Sequence, residues 1–209
     1  MTNIRSFENN AEKYDDWFIK NKYAYYSELK AISILLPKDG FGVEIGVGTG
    51  RFASKFGITL GVEPSKLMAD FAKNRGIAVV IGVAENLPLI KKQFDYVLMV
   101  TTICFLDDIK KSFNEVYRIL KPNSLFVLGF IDKNSSIGRL YQKNKDKSKF
   151  YQNALFYSVD EVIYYLKKTG FKDLTFYQTL FRNPENLSEI DSVRKDCGEG
   201  SFVVVGGYK

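Results

Sequence analysis

Val43-Glu44-Ile45-Gly46-Val47-Gly48-Thr49-Gly50 is apolar at first and then carries glycine at every second position. It reads as the end of a buried strand, a tight turn and the start of a helix. Glycine has no Cβ, so it accepts positive φ and lets a ligand approach the backbone. Gly46, Gly48 and Gly50 would form a floor for something flat or extended, with the acidic Glu44 just before it. A dinucleotide fingerprint would need glycine where Arg51 stands.

The flanking chain sets this loop in an alternating pattern. Residues 23–36 repeat apolar side chains at Tyr25, Leu29, Ile32 and Leu36, which is helical spacing. Pro37 ends that helix. A first strand is expected over 41–45, a short helix over 51–55 and a second strand over 57–62, ending on Glu63-Pro64. Ser65 would cap a helix with Met68, Phe71 and Ala72 inward. A third strand, 77–81, is β-branched and uncharged, so burial on both faces is expected. A fourth strand follows over 94–100. Asp107 or Asp108 would then cap a helix with Ile109, Phe113 and Val116 inward. Lys121-Pro122-Asn123 should turn the chain into a fifth strand over 125–131.

Alternating strands and helices imply an α/β, doubly wound fold with helices on both faces of a mostly parallel sheet. Seven strands are expected. The sixth (171–180) and seventh (201–205) would form an antiparallel C-terminal end. Ser158 and Glu161 form a capping box for the helix between the fifth and sixth strands. Ligands bind such sheets beyond the C-terminal strand ends, near the switch in strand order. The glycine loop, Glu63, Glu85 and Thr101-Thr102 all fall there.

Composition narrows the chemistry. The chain has 209 residues, 45% of them hydrophobic, enough for one domain with a single core. Its net charge of +6 permits an acidic partner or a solvated surface. It has no histidine, which removes Ser-His-Asp and Cys-His catalysis and the commonest metal ligand. Cys104 and Cys197 lie too far apart in sequence for metal-ligand spacing, and a reducing cytoplasm is the expected location. No signal peptide and no membrane insertion are expected.

Two segments flank the expected site. In residues 1–22, Tyr14, Trp17 and Phe18 share a helical face that either staples a helix to the core or caps a binding site. In 132–156, Lys133, Arg139, Lys143, Lys145, Lys147 and Lys149 interleave with Tyr141, Phe150 and Tyr151. That segment is either a solvated surface or a lid-like insertion.

The spacing Glu-x-Gly-x-Gly-x-Gly, with Glu63, the Ala84-Glu85 loop and Gln93-Phe94-Asp95 in order, resembles the class I S-adenosylmethionine-dependent methyltransferases. The flavour is that of the ubiquinone/menaquinone-biosynthesis group. The resemblance covers about residues 25–170 and implies one Rossmann-like domain over 1–209. It implies S-adenosylmethionine as cofactor, S-adenosylhomocysteine as product and no metal. It assigns the Gly46 carbonyl and the Thr101 region to the cofactor's ammonium, with Glu44 in support. Glu63, followed by Pro64, would take the ribose hydroxyls, and Ala84 and Glu85 the adenine. The chain departs from the family at Val83, where many relatives carry aspartate. Tyr14, Trp17, Thr102 and Tyr141 are candidate walls of the acceptor pocket, with Tyr14 and Tyr141 as candidate proton acceptors. Asn/Asp-Pro-Pro-Tyr is absent, since Thr101-Thr102-Ile103-Cys104 stands there.

The expected activity is methyl transfer to a small molecule, and a nucleic-acid partner is not expected. A protein or RNA methyltransferase docking through 133–149, and a binding module without turnover, are the competing readings.

Overall fold

The computed structural model describes residues 4–209, so the first three residues of the expected 1–22 cap lie outside it. That segment forms two helices, α1 (Ile4–Glu8) and α2 (Ala11–Lys20), and α3 (Lys22–Leu35) follows. The alternating region runs β1 (Gly42–Ile45), α4 (Arg51–Phe56), β2 (Leu60–Glu63), α5 (Lys66–Asn74), β3 (Ala78–Ile81), β4 (Phe94–Val100), α6 (Ile109–Ile119) and β5 (Leu120–Ile131). Then come α7 (Ser136–Lys143), α8 (Val159–Thr169), β6 (Lys172–Thr179), β7 (Arg194–Lys195) and β8 (Phe202–Tyr208).

The strands form one sheet in the order β3-β2-β1-β4-β5-β8-β6-β7. The pairings β1 with β2 and β4, β2 with β3, and β4 with β5 are all parallel. β8 lies antiparallel between β5 and β6. This is the Rossmann-like, mostly parallel sheet with an antiparallel C-terminal strand. The sheet has eight strands rather than the expected seven. The addition is the two-residue β7, formed where the polar excursion before β8 folds back on β6.

Alternation along β4 shows why helices cover both faces. Tyr96, Leu98 and Val100 enter the core beneath α2 and α3, whereas Val97 and Met99 enter the core beneath α6 and α8. The periodicity in α3 holds, with Tyr25, Leu29, Ile32 and Leu36 all buried. Asp108 caps α6 by accepting from the Lys111 amide, and the Ser158–Glu161 capping box is present.

Two expectations fail. β3 is not buried on both faces: Ala78 and Ile81 are exposed, and Val79 and Val80 half-buried. It is the edge strand, and a β-branched run does not distinguish edge from centre. The turn at Lys121-Pro122-Asn123 is absorbed into β5, with a register shift against β4 and Asn123 at φ 59°.

The reversal in strand order falls between β1 and β4. The loops after β1, β2 and β4 therefore meet at one end of the sheet.

Candidate functional site

The glycine loop leaves β1 with Gly46 at φ 70° and Gly48 at φ 54°. Its two open glycines are not equivalent. A Cβ on Gly46 would lie 2.5 Å from Thr102 Oγ1, so that glycine exists for close packing against the β4 exit. A Cβ on Gly48 would meet Met68 at 3.6 Å and Tyr14 at 3.7 Å, which are ordinary contacts. Gly48 faces a cleft. Gly50, the N-cap of α4, packs on Ile77 and Ala72 and is not among the residues that line it.

The cleft encloses about 810 Å³. Gly46, Gly48, Glu63, Pro64, Ala84, Glu85, Thr101 and Thr102 are among the residues that line it. Thr101 follows β4 at φ 49°, a conformation uncommon for a threonine and frequent at binding sites. Tyr14 reaches in from α2 and lines the cleft beside Thr101.

Glu63 is held in place by its neighbours. Its Oε2 accepts from the Gly48 amide at 2.9 Å, and its Oε1 from the Ser65 amide at 3.0 Å. Burial pushes its carboxyl up to about 7, against the lowering effect of those two amides. Ser65 also donates to Glu8 of α1. Glu44 lies behind the loop, 1% exposed, with Oε2 unpartnered. Burial holds it well above the usual carboxylate range, although it faces the Ala53 amide. Glu85 is tied down as well, its Oε1 accepting from the Asp107 amide at 2.8 Å.

A second, larger cavity of about 1360 Å³ adjoins the cleft and shares Phe7, Tyr14, Thr101 and Phe105 with it. Trp17 and Tyr141 line this chamber, while Thr102 lines the cleft. Phe7 packs edge-on against Phe105 and Tyr14, with ring centroids 4.8 and 5.7 Å apart. Tyr141 stacks on Tyr151 at 5.0 Å. Burial raises Tyr14 and pushes Tyr141 up to about 12, so both phenols stay protonated at neutral pH. They can wall the chamber and donate hydrogen bonds, but as bases they are poorly placed. Burial also pushes the Cys104 thiol up to about 12, which leaves it inert as a nucleophile.

Sequence reasoning missed Phe7, Met68, Phe105, Asp107 and Glu28 as lining residues. Glu28 alone left a readable signal, since it sits within the apolar repeat of α3. Among the described residues, no group of three or more carboxylates and thiols is placed to hold a metal. None of the described helices is long and apolar enough to cross a membrane.

Comparison with known proteins agrees with this geometry. The methyltransferase-domain family model matches residues 43–128. An uncharacterised protein of Methanocaldococcus jannaschii is 43% identical over 203 residues, covering 97% of this chain and 98% of its own. A Thermotoga maritima structure superimposes with a TM-score of 0.96 at 50% identity, covering 98% of this chain and 99% of the other. It is described as an S-adenosylmethionine-dependent methyltransferase and possible histamine N-methyltransferase. The chain belongs to the class I S-adenosylmethionine-dependent methyltransferases. The methyltransferase also resembles the ubiquinone/menaquinone-biosynthesis C-methyltransferase of Rickettsia akari, at 32% identity over 136 residues. That match covers 65% of this chain and 49% of the Rickettsia protein.

The residues present fit the cofactor of this family. S-adenosylmethionine carries ribose hydroxyls, an ammonium and a sulfonium, and Glu44 and Glu63 place buried carboxyl oxygens around the glycine loop as acceptors for them. Gly48 leaves room against the backbone, and Glu63 faces the cleft with both oxygens fixed by amides.

Proposed function

We propose that the methyltransferase acts on a small-molecule acceptor, held in the aromatic chamber and methylated by in-line displacement. The observation that carries this reading is the shared wall between chamber and cleft at Phe7, Tyr14, Thr101 and Phe105. The chamber is lined mostly by aromatic and aliphatic side chains with a few polar groups among them, as small-molecule sites are.

The bound cofactor supplies a methyl group on a sulfonium, already activated for displacement. The protein's part is orientation, which can be worth about 7–11 kcal/mol. Glu63 accepts from the ribose hydroxyls, which its fixed carboxylate suits. The Gly46 carbonyl and Thr101 hold the ammonium, with Glu44 beneath. The Ala84 amide reads adenine, and Glu85 assists through Oε2, because Oε1 is engaged by the Asp107 amide. The aromatic rings at the shared wall exclude water from the reacting atoms.

Segment 132–156 serves as the lid. Tyr141, Ser148, Phe150 and Tyr151 from it line the chamber. Its basic side chains are partly engaged within the fold: Lys133 pairs with Glu161 at 3.2 Å, and Arg139 donates to the Asn134 carbonyl. That favours a lid over a docking surface for protein or RNA.

The test is to incubate the protein with methyl-labelled S-adenosylmethionine and a cell extract, then separate macromolecules from small molecules. Label in the small-molecule fraction is expected. Label confined to protein or RNA would overturn the reading.

A further inference from the structure

Glu28 lies on α3, on the face that carries Tyr25, Leu29 and Ile32 at helical spacing. Leucine or alanine would fill such a position without penalty. The residue is 3% exposed and lines the chamber. It makes no hydrogen bond or ion pair with any described residue, and desolvation alone shifts it, pushing it up to about 8. An uncompensated buried carboxyl is costly, and its missing partner can arrive with a ligand.

The surroundings favour a cation. Trp17, Tyr141 and Tyr151 line the same chamber, and aromatic faces attract cations. The other charged lining groups, Lys13 on α2, Lys147 beyond α7 and Glu185 in the turn after β6, are exposed at the rim. The titratable groups facing inward besides Glu28 are the phenols of Tyr14, Tyr141 and Tyr151. Burial raises all three, and the nearby Glu28 charge raises each further. These phenols are neutral and cannot replace a counter-charge.

We infer that the chamber takes an acceptor carrying a protonated amine or a similar small organic cation, with the Glu28 carboxylate as its anchor. The inference rests on the small-molecule reading of the chamber. It assigns Glu28 to acceptor binding and leaves the transferred methyl group to the geometry at Tyr14 and Thr101.

Proton linkage follows. In the free chamber Glu28 is largely protonated at neutral pH. An incoming ammonium favours the carboxylate, so binding releases a proton. Affinity for an amine should rise as pH increases toward about 8, by up to about tenfold per pH unit, and fall once the amine itself loses its proton.

The experiment titrates S-adenosylhomocysteine-loaded protein, by calorimetry, with a panel of arylalkyl amines, alkyl amines and imidazoles. Each is paired with its neutral alcohol or amide isostere and its carboxylate isostere. Amines should bind at least about tenfold more tightly than their isosteres, with the stated pH profile. Glu28→Gln should retain S-adenosylhomocysteine binding, lose the amine preference and flatten the pH profile, and Glu28→Asp should restore part of both. Neutral or acidic compounds binding as well as amines would overturn the inference. So would an unchanged preference and pH profile in Glu28→Gln. If Glu28→Gln does not fold, the wild-type isostere comparison and pH profile decide. If the loaded protein binds no small molecule of any charge, and methyl-labelled S-adenosylmethionine in a separate incubation marks only macromolecules, the small-molecule reading itself is defeated.

Discussion

Arg51 donates from Nε to Asp15 Oδ1 at 2.9 Å, and its other nitrogen pairs with Oδ2. Arg51 is the first residue of α4, directly after the glycine loop, and Asp15 belongs to the cap helix α2. Arg75 joins the pair, donating to Asp15 Oδ2 at 2.8 Å and to the Thr49 carbonyl at 2.8 Å. Burial works against the Asp15 charge, and the two arginines outweigh it, holding the carboxyl below its usual range. The residue that breaks the dinucleotide fingerprint thus ties the cap to the loop. Asp15→Asn should destabilise the fold by about 1–3 kcal/mol, between the values for exposed and buried pairs. It should also weaken S-adenosylhomocysteine binding, because Tyr14 loses its fixed position over Gly48. Thermal unfolding and calorimetry check both. Unchanged affinity would show that the cap does not organise the cleft.

Glu63 gives the cofactor site a pH dependence. Its carboxyl sits at about 7 in the free protein. If ribose hydroxyls donate to the ionised form, as proposed, affinity for S-adenosylhomocysteine should fall as pH drops below about 7 and level off above it. Glu63→Ala should cost about tenfold to a hundredfold in affinity at alkaline pH and abolish this dependence. Calorimetry across the range measures it, and an unchanged affinity would reject the role.

The two glycines should separate folding from binding. Gly48→Val meets only ordinary contacts at Cβ but fills the floor of the cleft and strains a φ of 54°. It should fold with a modest loss of stability and fail to bind S-adenosylhomocysteine. Gly46→Ala puts its Cβ 2.5 Å from Thr102. It should lose stability first, as a lower unfolding temperature. Equal effects of both on stability and binding would contradict the distinction.

Glu28 should make the free protein less stable as pH rises. Burial lifts its carboxyl from 4.5 to about 8. Between those values the folded chain keeps a proton that the unfolded chain has released. The stabilising effect is complete below about 4.5 and is lost as pH rises through about 8. Glu28→Gln should therefore gain on the wild type as pH rises, and a difference of ~1–2 kcal/mol would appear as about 2–8 °C in Tm. A Tm difference independent of pH would contradict the buried, ionisable state.

That Gly46, Gly48 and Glu63 meet in one cleft was legible because its parts are local. A strand, a glycine turn and a carboxylate at the next strand end lie within residues 43–63, and the sheet order brings them together. Gly50 was misleading: the same periodic glycine can face a ligand or a neighbouring helix, and spacing does not tell which. Of the chamber, only Tyr14, Trp17 and Tyr141 were legible. Its walls come from α1, α2, α3, the Phe105 turn and residues 140–151, which meet only through long-range packing. The edge position of β3 was hidden for the same reason, since strand order is a property of the whole sheet.

The most direct measurement is a crystal structure of the protein with S-adenosylhomocysteine bound. The ribose should lie on Glu63, the homocysteine along Gly46–Gly48, and the sulfur should face the opening framed by Tyr14 and Phe105. A ligand bound elsewhere, or a sulfur turned away from the aromatic chamber, would contradict the assignment of cleft and chamber.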